Sequence, residues 1–134
     1  MALDQAMIVA GIGCKAGASA QEIEAAIGAA LSQAGLASGA LGLIATSHAK
    51  SSEPGIAAAA TGRGLKMVVV LQVDLVAAGA RALTRSERVL AMTGVPSVSE
   101  AAALAAAGPG ARLIAPRVAV GPATCALAIT GDTP

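Results

Sequence analysis

The chain has no phenylalanine, tyrosine or tryptophan anywhere in its 134 residues. Its core must therefore be built from Val, Ile, Leu, Met and Ala, without the large apolar area that rings contribute. The apolar share is still 55%, with much of the excess in alanine and glycine. A chain of this length can bury one such core and is too short for two. Residues 1–134 are accordingly read as a single domain.

Periodicity orders that domain. Residues 6–12 (AMIVAGI) form a short apolar run that stops at glycine, the pattern of a buried first strand. Ser19 with Glu22 makes a capping box, and Ile23, Ile27 and Leu31 give a helical stripe ending near Gly35. A second strand is expected over residues 41–46, a polar loop over 47–54 and an alanine-rich helix over about 55–61. Residues 67–71 (MVVVL) are the clearest strand, since valines suit a pleated surface, and are expected inside the sheet rather than at its edge. Helices are expected over 75–82, over 86–92, and from an N-cap at Ser99 to Gly108. Residues 112–115 and 124–129 read as two closing strands joined through Gly121 and Pro122, an antiparallel pair because the connection is short. This alternation predicts a three-layer α/β/α domain with a mixed, mostly parallel sheet of about five strands, one of them antiparallel.

Charge and composition exclude several functions. Nine basic against eight acidic residues leave a formal net charge of +1, without basic clustering or aromatic platforms for bases, so nucleic acid is not the expected partner. The charge-free residues 25–47 are long enough to raise a membrane span, but Gly28, Ser32, Gln33, Gly35, Ser38 and Gly39 break them into helix, turn and strand. The start of the chain lacks a signal-peptide pattern, and a cytoplasmic location is expected. Cys14 and Cys125 should then remain unbridged thiols. With His48 the only histidine and no Cys-x-x-Cys, neither a metal nor a cofactor is implied.

Three segments have the composition for chemistry. The first, Gly11, Gly13, Cys14, Lys15, Gly17 and Ser19, is a glycine-rich turn leading into a helix start. It reads as a tight structural turn, as a site for a phosphate or carboxylate, or as a dinucleotide site. Its spacing matches neither the phosphate-loop nor the strict dinucleotide pattern, and no acidic residue follows the second strand to hold a ribose. Cys14, ahead of the helix and beside Lys15, stands where a thiol pKa is lowered, or simply fills a corner. The second segment carries Thr46, Ser47, His48, Lys50 and Glu53. It should lie at the same carboxyl edge of the sheet, either as a ligand loop or as a solvated loop with a local Lys50–Glu53 pair. The third carries Gly94, Ser97, Ser99 and Glu100 at another helix start, for capping or for an anion. The three segments are expected to converge on one cleft.

At these residues the chain resembles the CobE / CbiG C-terminal domain family. GIGCKAGASAQEIEAAI, ATSHAKSSEPG, TGVPSVSEAAALAAAG and RLIAPRVAVGPATCALAI look like that family's successive motifs, in order, over nearly the whole chain. In the family the domain occurs alone or fused behind an N-terminal domain, and the fused protein is a cobalt-precorrin-5A hydrolase that opens a ring lactone and releases acetaldehyde. The resemblance implies a role in cobalamin biosynthesis, with a corrin or precorrin intermediate as partner and other pathway enzymes as further ones. A homo-oligomer is left open. The family's motif residues fall on Gly11, Gly13, Cys14, Lys15, Gly17, Ser19, Thr46, Lys50, Glu53, Gly94, Ser97, Glu100 and Leu104. His48, where an acidic residue is expected in many relatives, completes the implied binding set, and Arg117 stands where lysine is common.

Overall fold

The computed structural model describes residues 6–131. Strand β1 (Ile8–Cys14) runs into helix α1 (Ala20–Gln33), followed by β2 (Leu41–Ser47), α2 (Pro54–Arg63) and β3 (Met67–Val70). Helices α3 (Gln72–Gly79), α4 (Glu87–Thr93) and α5 (Val98–Ala107) come next, and β4 (Arg112–Leu113), β5 (Val118–Val120) and β6 (Ala123–Ile129) close the chain. The sheet has six strands in the order β3-β2-β1-β6-β4, with β5 also paired to β6. β1, β2 and β3 are mutually parallel, and β6 is antiparallel to β1, β4 and β5 alike. Only β6 therefore opposes the common direction, so the expected mixed sheet with one reversed member is present with one strand more.

Alternation along β1 divides the interior into two layers. Ala10 and Ile12 face α1 and α2, joining Ile23, Ile27, Leu31, Ile44, Ile56, Cys125 and Leu127. Val9 faces the other way, with Ala45, Val70, Leu75, Val95, Ala101 and Ala102 beneath α5. Gly11 and Gly13 lie on this second face, where α5 almost touches the strand. A methyl group on Gly11 would overlap the Ser99 carbonyl oxygen and stand 2.6 Å from Ala103 N. The run of alanines in α5 and the glycines of β1 thus replace ring-filled volume with short interlayer distance. On the opposite face, Arg63 at the end of α2 bonds Glu24 of α1 at 2.7 Å and the Ser38 carbonyl at 3.0 Å. The two ends of the described chain also meet, since Met7 N–H donates to Thr130 Oγ1 and Thr130 N–H to Met7 O.

The structure corrects several expectations. The valine run forms β3 but sits at the sheet edge. Its composition predicts a strand correctly, but covering one face by Leu75 and α5 is enough for such residues, and Val69 is exposed on the other. Leu71 falls outside the strand as the residue before α3. The hairpin through Gly121 and Pro122 joins β6 to β5, a strand the sequence reading missed, while β4 is reduced to two residues. Helix α3 starts three residues earlier than expected, with Gln72 first. Ser97 rather than Ser99 occupies the N-cap of α5.

Gly11→Ala should therefore lower the free energy of unfolding by about 1–3 kcal/mol, the range for overpacking. Gly28→Ala, with nothing within 4 Å of the added methyl on α1, should raise it by about 0.4–1 kcal/mol. Urea denaturation of the two variants beside the parent measures both, and equal effects would contradict the close packing of β1 on α5.

Candidate functional site

The glycines of the first segment turn out to do separate jobs. Gly11 and Gly13 both belong to β1: Gly11 makes room for α5, whereas a methyl on Gly13 would meet Thr124 Oγ1 of β6 at 2.8 Å. Gly17 alone shapes the turn, with a φ of +80° that a side chain would strain. The backbone N–H groups behind it are largely engaged. Lys15 N–H donates to Pro122 O, Ala18 N–H to Lys15 O, and Ser19 N–H to the Glu22 carboxylate in the expected capping box. Gly17 N–H donates to Glu53 Oε1 at 2.9 Å. The turn therefore holds an anion already, and that anion is a side chain of this protein.

The Glu53 bond joins the first two segments. After β2 the chain makes a short 3-10 turn, His48–Lys50, tied by Ser51 N–H and Ser51 Oγ–H to His48 O. Glu53 then precedes α2, whose Gly55 is packed so tightly on Ala18 that a methyl group would overlap the Ala18 carbonyl oxygen. Glu53 bonds Gly17 rather than forming an ion pair with Lys50, so the local Lys50–Glu53 pair gives way to a link between loops. Because β1 and β2 are parallel, both loops leave the same edge of the sheet. Lys15, Gly17, Ser19 and His48 are exposed there, with Lys50 and Glu53 half-buried. Thr46 is fully buried and spends its hydroxyl on Ile12 O at 2.9 Å. It braces β1 against β2 and presents nothing to solvent.

The third segment departs from the expected common cleft. Its helix, α5, lies on the opposite face of the sheet from α1, and its polar residues are buried. Ser97 and Ser99 are fully covered, with no partner for either hydroxyl among the described residues. Glu100, also fully buried, accepts from Thr84 N–H at 2.8 Å, Thr84 Oγ1–H at 2.9 Å and Arg117 N–H at 2.9 Å. It fixes two loops to α5. The sequence offered no local clue to this role, since an acidic residue in the first turn of a helix is already accounted for by the positive end of the helix dipole. Its distant partners Thr84 and Arg117 left no periodic trace.

Cys14 sits at the end of β1 within electrostatic reach of Lys50 and Glu53. Partial burial raises its pKa, against a smaller lowering by Lys50 and a further rise from Glu53. The expected activation of this thiol is thus reversed by desolvation. Cys125 is pushed up to about 12, chiefly by burial, with Arg63 opposing and Glu24 adding to the rise. Both thiols are free. The register sets Cys125 opposite Ile12 and Cys14 opposite Ala123, so they form a diagonal pair, at a typical separation of about 7–8 Å that is long for a disulfide. Among the described residues no three His, Cys, Asp or Glu side chains cluster as a metal site. No single helix there is long and apolar enough to cross a membrane. A concavity of about 320 Å³ adjoins the start of α1, walled by Ala20, Ala58, Ala59 and Gly62 with Gln21 and the Glu24–Arg63 pair.

A mixed sheet in which β6 alone opposes the other strands, covered by helices on both faces and with two linked loops at its carboxyl edge, makes this a small three-layer α/β domain. The chain belongs to the family described as the cobalamin synthesis G C-terminus, which matches residues 8–128. It is 39% identical over 121 residues to protein CobE of Sinorhizobium sp, across 90% of this chain and 79% of the relative. The crystal structure of CobE from the cobalamin (vitamin B12) pathway superposes with a TM-score of 0.90 at 32% identity, covering 100% of this chain and 98% of the other. Cobalamin biosynthesis protein chiG from Agrobacterium tumefaciens gives 0.75 at 48% identity over 94% and 100%. A longer cobalamin biosynthesis protein G homolog from Sulfolobus solfataricus, 37% of which is covered, shares the fold at a TM-score of 0.70. The chain is thus a cobalamin biosynthesis protein.

Two measurements check the electrostatics. A thiol held protonated in the folded state adds stability below its unfolded pKa of 9.0 and loses that stability as pH rises toward 12. Between pH 8.5 and 10.5 the parent should lose about 2 kcal/mol more unfolding free energy than Cys125→Ala, read from urea curves at the two pH values. Glu53→Ala should loosen the junction of the two loops, seen as faster amide exchange at Gly17 with the exchange of β1 unchanged.

Proposed function

We propose that the domain binds a carboxylated corrin or precorrin intermediate at the carboxyl edge of the sheet and chaperones it within the pathway, without catalysing a reaction of its own. The observation that supports this most is the junction of the first two loops by Glu53 and Gly17. It fixes Lys15 and Lys50 on one rigid edge while leaving both chains to reach outward. Corrinoid precursors carry acetate and propionate arms around an apolar ring, and lysines on a fixed platform suit several carboxylates at once. The alanine and glycine walls beside α1 offer low relief for an apolar ring to lie against. Gly13, Cys14, Gly17, Ser19, His48 and Glu53 line or support this edge, Thr46 and Glu100 brace the scaffold behind it, and Ser97 is buried at the start of α5.

The same features weigh against the lactone hydrolase alternative. A nucleophilic Cys14 needs a lowered pKa, and here burial raises it. Of the two residues that could activate water in such an enzyme, Glu53 is engaged with Gly17 N–H, while His48 stands exposed on the same loop.

Lys15→Ala/Lys50→Ala should weaken binding of a carboxylated precorrin by roughly 1–3 kcal/mol, the range for charge-assisted hydrogen bonds, with little change in the urea midpoint. Titration calorimetry with the purified intermediate measures this, and equal affinity in the double variant would overturn the site. Acetaldehyde released from the lactone-bearing intermediate by the protein alone would instead establish the hydrolase.

A further inference from the structure

Strand β3 is the least protected part of the sheet. Ile44 N–H donates to Lys66 O at 3.1 Å, and Ile44 stands opposite Met67 in the parallel ladder. Lys66, Val68 and Val70 therefore turn their backbone groups toward β2, and Met67 and Val69 turn theirs away from the sheet. No charged residue, proline or bulge interrupts MVVV, although such devices normally guard an edge. The opposite edge is guarded, since β4 has only two residues and one is Arg112. Around the open edge the surface is apolar: Val69 is 37% exposed, Leu71 55%, Val73 73% and Val76 47%.

We propose that this edge pairs antiparallel with β3 of a second copy of the chain, joining two sheets across a twofold axis at Val69. A closed dimer needs a surface complementary to itself, and the sequence here meets that condition. Centring the axis on Val69 sets Met67 opposite Leu71 and Val68 opposite Val70 of the second copy, an uninterrupted apolar pair. The next step outward sets Lys66 opposite Gln72, two residues before Asp74 in the first turn of α3 and within the reach of a lysine side chain. Lys66 and Asp74 are both exposed, and the ion pairs of the described residues, Arg63–Glu24 and Arg85–Glu87, leave both free. The symmetry then places opposite charges together at both ends of the paired strands. The same axis brings the exposed valines of the two α3 helices to one side of the junction. The loop edge carrying Lys15 and Lys50 is not used, so this pairing is independent of the binding reading.

Sedimentation velocity of the parent protein from about 5 to 100 μM, a range suited to interfaces of modest area, should show a dimer that dissociates on dilution. Val69→Pro removes an outward N–H without touching the ladder to β2, and should be monomeric throughout with an unchanged far-ultraviolet circular dichroism spectrum. Lys66→Asp should shift the equilibrium toward monomer by at least about tenfold in Kd, and Lys66→Asp/Asp74→Lys should restore it. A parent that stays monomeric at 100 μM, a dimer untouched by Val69→Pro, or a double exchange no better than the single one would each overturn the proposal.

Discussion

The contact between the β1 backbone and α5 is the constraint on which the rest of the domain depends. Helix α5 rests on Gly11 with no side chain between them, and its alanines fill what little depth remains. A core lacking aromatic rings has few ways to reach native packing density, and bringing backbone against backbone is one of them. Much else follows from that approach. Because α5 is held so low, the first-turn Glu100 is carried into the interior, where it collects N–H groups from two loops that would otherwise lie free.

The loop edge is organised by a different principle. Helix starts attract anions, yet the turn before α1 satisfies Gly17 N–H and Ser19 N–H from its own carboxylates, Glu53 and Glu22. This makes the turn rigid and removes the backbone as a general anion cradle. What the two linked loops present to solvent is side chains, Lys15 and His48 exposed and Lys50 half-buried. The motif glycines that look like a phosphate loop in sequence are divided between helix packing and turn geometry, which is why their spacing fits no nucleotide pattern.

Local signals in the sequence were legible. The capping box at Ser19 and Glu22, the stripe of Ile23, Ile27 and Leu31, and the short strand beginning at Leu41 each rest on neighbours a few residues apart, and each appears where expected. Long-range pairing was less legible. The valines of residues 67–71 declare a strand, but whether it is central depends on which strands lie beside it, and nothing within the run encodes that. β5 escaped because a strand of three residues just before Gly121 carries too little alternation to stand out. In the site, the placing of the glycine turn and the polar loop at one edge followed from parallel strands. The burial of Thr46, Ser97 and Glu100 depended on how close a helix could come, and no spacing of polar residues reports that distance.

The meeting of Met7 with Thr130 has its own consequence. The first and last strands are neighbours, and reversal of β6 brings both ends of the described chain to the rim of the sheet opposite the loops. A tether attached at either end would leave on the side away from the lysines. The architecture is thus that of a plug-in module: it can be appended, inserted or carried alone with its loop edge facing away from the attachment each time, and longer proteins containing this fold need no redesign of that edge to acquire it.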